Sequence, residues 1–141
     1  MKVAVVSESP ADEAAIRILA NEILGELTVP VTLVRVRPRG WTEVVRLLPT
    51  IVRQLHYHSD ADGLIVVVDS DRSPVHMPDH DQPESEPKNK CRLCSLRYLV
   101  QKIRNDLTPV TGRGPLKIGL GLAVPAIEAW YRCGMDHILV K

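Results

Sequence analysis

The sequence contains no phenylalanine, and its few Trp and Tyr residues bring the aromatic share to only 4%. A platform on which successive bases stack would have to be built from very little, which argues against that mode of single-strand recognition. An excess of one charge is missing too: Lys plus Arg total 18, Asp plus Glu 17, and the net charge is +1. With no field of one sign over the molecule, an anionic substrate must be held by a local patch. Cysteine is scarce, and 3 in a chain without an export signal suggest reduced thiols rather than a disulfide framework. The first apolar segment breaks at Ser7-Glu8-Ser9-Pro10, too soon for a signal-peptide core, and no run approaches a membrane span. The expectation is a cytoplasmic protein with no membrane segment. A glycine-rich phosphate loop after the first apolar segment is also lacking, which disfavours a nucleotide-binding or receiver-like domain.

What is present is a chain of 141 residues, 45% hydrophobic, which suits a single α/β domain over 1–141 with a real core. Its focus is Leu64-Ile65-Val66-Val67-Val68, an unbroken apolar run that stops on Asp69-Ser70-Asp71. A strand buried on both faces reads this way. If extended geometry persists past Val68, Asp69 and Asp71 project the same way as a pair, and two anions that close repel unless a cation lies between them.

The elements around this run alternate. Residues 3–6 form another continuous apolar run and deliver Glu8 just past its end. Pro10, Asp12 and Glu13 open a helix with Ala15, Ile16, Leu19, Ala20, Ile23, Leu24 and Leu27 at helical spacing. Period-two alternation over 31–37 predicts a strand near the sheet edge, with Arg35, Arg37 and Arg39 in a row that suits a solvated face or a phosphate. Thr42 is the expected N-cap of a second helix, which Pro49 should kink or divide, and His56 and His58 at its end are expected at the surface. Residues 72–90 are polar and proline-rich, the composition of a long insert. Helical periodicity returns over 91–107, and 116–122 reads as a last strand in which Gly119 and Gly121 allow close approach. Pro125 can then occupy the first turn of a helix carrying Ile127, Glu128, Ala129 and Trp130, with Cys133 beyond it expected to be buried.

This order predicts a mostly parallel four-stranded sheet with helices on both faces, Rossmann-like in plan. All strand ends then meet at one edge, where open α/β sheets bind ligands. Glu8, Asp69, Asp71 and Glu128 come from distant parts of the chain and converge there. Hard divalent cations take such oxygen donors, magnesium in particular keeping waters that a phosphate can replace. Phosphodiester hydrolysis is the natural reaction. Glycoside hydrolysis needs carboxylates facing each other across a sugar, which neighbours such as Asp69 and Asp71 do not.

A strand ending in Glu8 within Ser7-Glu8-Ser9-Pro10-Ala11-Asp12-Glu13, a later strand ending Asp69-Ser70-Asp71, and parallel α/β order resemble the Toprim domain of topoisomerases, primases and OLD-family nucleases. The segment Ala123-Val124-Pro125-Ala126-Ile127-Glu128-Ala129-Trp130 is similar to one in small Toprim-like proteins of the DUF4276 type. The resemblance implies Glu8 as general acid/base or metal ligand, Asp69 and Asp71 as ligands of Mg2+ or Mn2+, and Glu128 as a further acid near the metal. It implies a nucleic-acid substrate and a partner protein such as an ATPase. Ser9 stands where the family pattern usually has Gly, which leaves a non-catalytic interaction or regulatory module as the alternative to a nuclease.

A second constellation is His76-Met77-Pro78-Asp79-His80 followed by Cys91-Arg92-Leu93-Cys94. Paired ligands at these spacings can close a tetrahedral zinc site and would staple an insert that lacks a core. Cys91 and Cys94 also fit as small apolar residues on one face of a helix.

Overall fold

The computed structural model describes residues 1–33, 38–80, 87 and 90–130. The two unbroken apolar runs form the centre of the sheet. β1 (Lys2–Val6) and β3 (Gly63–Asp69) lie side by side and parallel, with Val3 opposite Gly63 and Val6 opposite Val66. β4 (Lys117–Ala123) runs along the other side of β3, from Lys117 opposite Gly63 to Ala123 opposite Asp69. The short β2 (Val29–Pro30) completes a wholly parallel sheet of order β2-β1-β3-β4.

From β1 the chain steps outward to β2, then returns past β1 to β3 and on to β4. Crossovers of one hand that travel in opposite directions must lie on opposite faces. Helix α1 (Pro10–Leu24) accordingly packs Ile16 against Val5, Val67, Ala123 and Ile127 on one face. On the other face α2 (Gly40–His58) and α3 (Arg92–Asp106) enclose Ala4, Val6, Leu64, Val66 and Val68. The expected plan of four strands with helices on both faces is the one found.

Local chemistry sets the helix starts. Ser9 caps α1, its hydroxyl accepting the Asp12 N–H at 3.3 Å, with Pro10 in the first turn and Gly25 in the left-handed conformation at the end. Only Ile16 and Ala20 of its apolar stripe are buried, whereas Leu19, Ile23, Leu24 and Leu27 are exposed. The strand that α1 leads to has just two residues, both exposed, so the C-terminal half of the helix has little to cover. Helix α2 begins earlier than the expected Thr42 cap, with Arg39 as N-cap, its N–H donating to the Glu43 carboxylate at 2.6 Å. Gly40 follows at φ +79°, a conformation that requires glycine, and donates its N–H to the Glu8 carbonyl at 3.3 Å.

Other expectations are corrected. The edge strand found is Val29–Pro30, ahead of the expected start at Val31: its ladder is fixed by Val29 donating to the Met1 carbonyl at 2.9 Å, Pro30 has no N–H with which to extend it, 31–33 are not strand, and 34–37 lie outside the described residues. Of the arginine row, Arg35 and Arg37 lie outside the described residues and Arg39 belongs to the start of α2. Pro49 sits inside an undivided helix, since Val44 and Leu48 before it and Ile51 and Val52 after it are all fully buried on one face. His56 is buried, with Nε2 bonded to the Thr108 carbonyl at 2.7 Å, while His58 is exposed as expected. Gly121 does permit close packing, for a Cβ there would lie 3.2 Å from Val67 Cγ2, but Gly119 borders open space. Pro125 precedes the turn that begins the next helical segment, and Cys133 lies outside the described residues.

The core on the α2 face should dominate stability. Leu48→Ala, at a site with no exposure, is expected to lower the unfolding free energy by about 2–5 kcal/mol in urea titration. A loss within experimental error would mean that α2 does not pack as described.

Candidate functional site

β1 and β3 are neighbours at the point where the chain reverses its direction of travel across the sheet, the switch point at which open α/β sheets form a ligand crevice. Glu8 lies two residues beyond β1, and Asp69 is the last residue of β3. A third element returns to this edge. α3 begins with Arg92, whose Nη1 lies 2.7 Å from the Asp69 carbonyl, 3.2 Å from Asp71 Oδ2 and 3.3 Å from Glu8 Oε1. The guanidinium carbon sits 5.1 Å from the ring centroid of Trp41, a stacking contact from the first turn of α2. The Arg92 and Glu8 side chains are only 17% and 15% exposed, so their ion pair is shielded from solvent, while Asp71 is 52% exposed.

Asp69 and Asp71 do not continue as one extended row. The strand ends at Asp69, and Asp71 takes φ +48° in a turn held by Ser70 N–H to the Ala123 carbonyl at 2.8 Å and Asp71 N–H to the Pro125 carbonyl at 2.7 Å. Asp69 Oδ1 accepts the Ile127 N–H at 2.8 Å, which ties the end of β3 to the turn after β4. Glu128, next to Ile127, is exposed and adds to the negative field felt by Asp69.

The acids outweigh the one guanidinium among them. Burial pushes the Glu8 carboxyl above its ordinary pKa, the charge of Asp69 pushes further, Arg92 opposes, and Asp71 adds to the rise. Asp69 is raised first by burial, against the Ile127 hydrogen bond, and then by the charges of Asp12, Asp71 and Glu128. A further positive charge entering this edge would therefore be stabilised.

Beside this edge the insert folds back onto α3. His76, His80, Cys91 and Cys94 bring one ligand atom each to within 4.8 Å of one another, and among the described residues this is the one group of three or more such side chains close enough to hold a metal ion. His76 Nδ1 lies 3.6 Å from Cys91 Sγ and 3.3 Å from Cys94 Sγ. Tetrahedral coordination with metal–sulfur bonds of about 2.3 Å and metal–nitrogen bonds of about 2.0–2.1 Å gives sulfur–nitrogen edges of about 3.6 Å. A short 3-10 helix, Pro78–His80, turns the second histidine back toward the first, their rings 5.5 Å apart. His80 Nδ1 meets the Met77 N–H at 3.3 Å, a long contact that ligation through either ring nitrogen would replace. Both cysteines are buried, yet among the described residues neither belongs to the two apolar clusters that form the core. His76 meets both sulfurs and the His80 carbonyl lies 3.9 Å from Cys94 Sγ, so the described part of the insert packs against them.

Comparison with protein-family models, with curated proteins and with solved structures finds no match to this chain. The site therefore has to be interpreted from its own chemistry. No described helix is long and apolar enough to cross a membrane.

Reasoning from sequence singled out every acid and every His or Cys of these groups but missed Arg92 and Trp41. A signal was available for the first: a helix that follows a parallel strand starts near that strand's C-terminal end, so a first-turn arginine on α3 falls at the acidic edge.

The raised acids make a pH-dependent prediction. A carboxyl whose folded pKa exceeds its unfolded value contributes most to stability when protonated in both states, and that contribution is lost as pH rises from the ordinary value of 4.5 through the folded one. Without divalent cations, Glu8→Gln should melt at a higher temperature than wild type at neutral pH, and the difference should vanish below pH 4.5. Equal melting temperatures across the range would mean that Glu8 is not held in a surplus of negative charge.

Proposed function

We propose that this chain is a divalent-metal-dependent phosphoryl-transfer enzyme that hydrolyses nucleic-acid phosphodiesters, a nuclease of the Toprim kind. The observation that carries the reading is that Glu8, Asp69 and Asp71 border the β1/β3 switch point, where burial and neighbouring acids raise Glu8 and Asp69 despite Arg92; a dication would draw their carboxylates together, since among the described residues the His/Cys group alone already has ligand spacing. Three carboxylates from two strand ends are the oxygen donors that Mg2+ or Mn2+ takes, and their charge surplus matches a hard dication. When bound, such an ion would offset charge on the phosphate and activate water.

The chain's own residues supply the remainder. Asp69 is held in one orientation by the Ile127 N–H, so one carboxylate oxygen is fixed and the other is left for a ligand. Glu8, partly buried and with its proton affinity raised, is suited to take a proton from an attacking water and return it to the leaving oxygen. Ser9 in place of the family's usual Gly places no strain on this loop: its φ is −151°, and its hydroxyl is used as the cap of α1.

Zinc is the metal we assign to His76, His80, Cys91 and Cys94, because two thiols and two imidazoles gathered within 4.8 Å suit it and four protein ligands leave no position for substrate. Its role is to close the insert, whose described apolar residues Val75 and Met77 are about half exposed and build no core. Purified protein should carry about one equivalent of zinc by elemental analysis. Metal-free protein with an unchanged insert would withdraw the assignment.

The competing reading is an interaction module that keeps the fold without catalysis, favoured by Arg92 already pairing with Glu8 and Asp71. Activity decides between them. Wild type should cleave DNA or RNA only with Mg2+ or Mn2+, and Glu8→Gln should lose about 10²-fold or more in rate, the scale of a lost general acid/base, while remaining folded. Glu128→Gln, at an exposed position, should lose less. Absence of cleavage in wild type would favour the interaction module.

A further inference from the structure

We propose that the His/Cys metal site presents Arg92 as a phosphate-binding side chain at the strand-end edge, so that oxyanion binding at one site depends on metal held at the other. This rests on the phosphoryl-transfer reading above and names the residue that recognises the substrate's phosphate. Cys91, the N-cap of α3 with no exposure, immediately precedes Arg92. Any metal that fixes the Cys91 thiolate also fixes the backbone from which Arg92 extends.

The side chain is laid out for such a task. Its three hydrogen bonds among the described residues use Nη1, and a guanidinium has further N–H donors on Nη2 and Nε. The 2.7 Å bond to the Asp69 carbonyl is an anchor, whereas the contacts at 3.2 and 3.3 Å to Asp71 and Glu8 are long for ion pairs. The Trp41 ring 5.1 Å from the guanidinium carbon supports its plane. If a divalent cation takes the carboxylates, Arg92 loses its two long contacts, keeps the anchor, and directs a planar donor fork toward an oxyanion shared with that cation.

The test uses the full chain, inorganic phosphate as probe, and Mg2+, which thiolates bind poorly. Calorimetry in Mg2+ should show phosphate binding to zinc-loaded wild type that weakens about tenfold in Arg92→Gln, the scale of a lost charge-assisted contact. The Co2+-substituted variant should keep the absorption spectrum of wild type, showing an intact His/Cys site. In a Trp130→Phe background Trp41 is the sole tryptophan, so re-adding zinc to stripped protein should shift its emission and restore phosphate affinity, and Arg92→Gln should abolish the emission response. Unchanged phosphate affinity in Arg92→Gln overturns the proposal. So does an emission response as large in Arg92→Gln as in the parent, because the metal would then act on the whole fold. Phosphate binding that follows this pattern without phosphodiester cleavage removes the catalytic reading and keeps this one; cleavage indifferent to Arg92 does the reverse.

Discussion

The pairing of β1 with β3 is the constraint on which the rest of the molecule depends. Parallel strands need crossover connections, and once β2 lies outside β1, the next strand can join the sheet centrally only on β1's other side. That single adjacency sets Val6 opposite Val66, puts α1 on one face and α2 with α3 on the other, and leaves Glu8 and Asp69 at one edge. Glu8 and Asp69, 61 apart in sequence, thereby become neighbours.

What the edge does follows from the balance of charge it collects. Burial raises both Glu8 and Asp69, neighbouring carboxylates raise them further, and Arg92 opposes the rise at Glu8 only in part. An edge left with unneutralised charge, in a partly shielded crevice, is costly to keep unless it serves a cationic ligand. The insert adds a second polar construction alongside. The cysteines of α3 that it meets are buried, its own described apolar residues are not, and His76 with both sulfurs has the spacing of a metal shell. The two constructions are joined by one peptide bond, that between Cys91 and Arg92, through which the proposed coupling would act.

The fold was legible where one strong pattern decided it. Unbroken runs such as Val3 to Val6 and Leu64 to Val68 have no amphipathic alternative, so they read as central strands, and their order implied the common edge. That the edge ladder would lie at Val29–Pro30 was not legible, because alternation is a local signal, whereas an edge ladder is decided by partners beside β1 such as the Met1 carbonyl. Thr42 has good capping chemistry, but Gly40 at φ +79° and its bond to Glu8 start α2 earlier. The acids were found by counting residues past each strand, yet the turn at Asp71 and the arrival of Arg92 depend on tertiary packing that no spacing encodes. The His and Cys residues were legible as a set because ligand chemistry restricts residue type as well as spacing.

The central claim is that the β1/β3 edge is a divalent-cation site for phosphate, poised by an adjacent thiolate–imidazole site. Crystals grown with Mn2+ and phosphate, with anomalous data collected at the manganese and zinc edges, test it most directly. The account predicts a zinc peak among His76, His80, Cys91 and Cys94, a manganese peak ligated by Asp69 with Glu8 or Asp71, and Arg92 turned from those carboxylates onto the phosphate. An edge without manganese, with Arg92 still bridging Glu8 and Asp71, would contradict it.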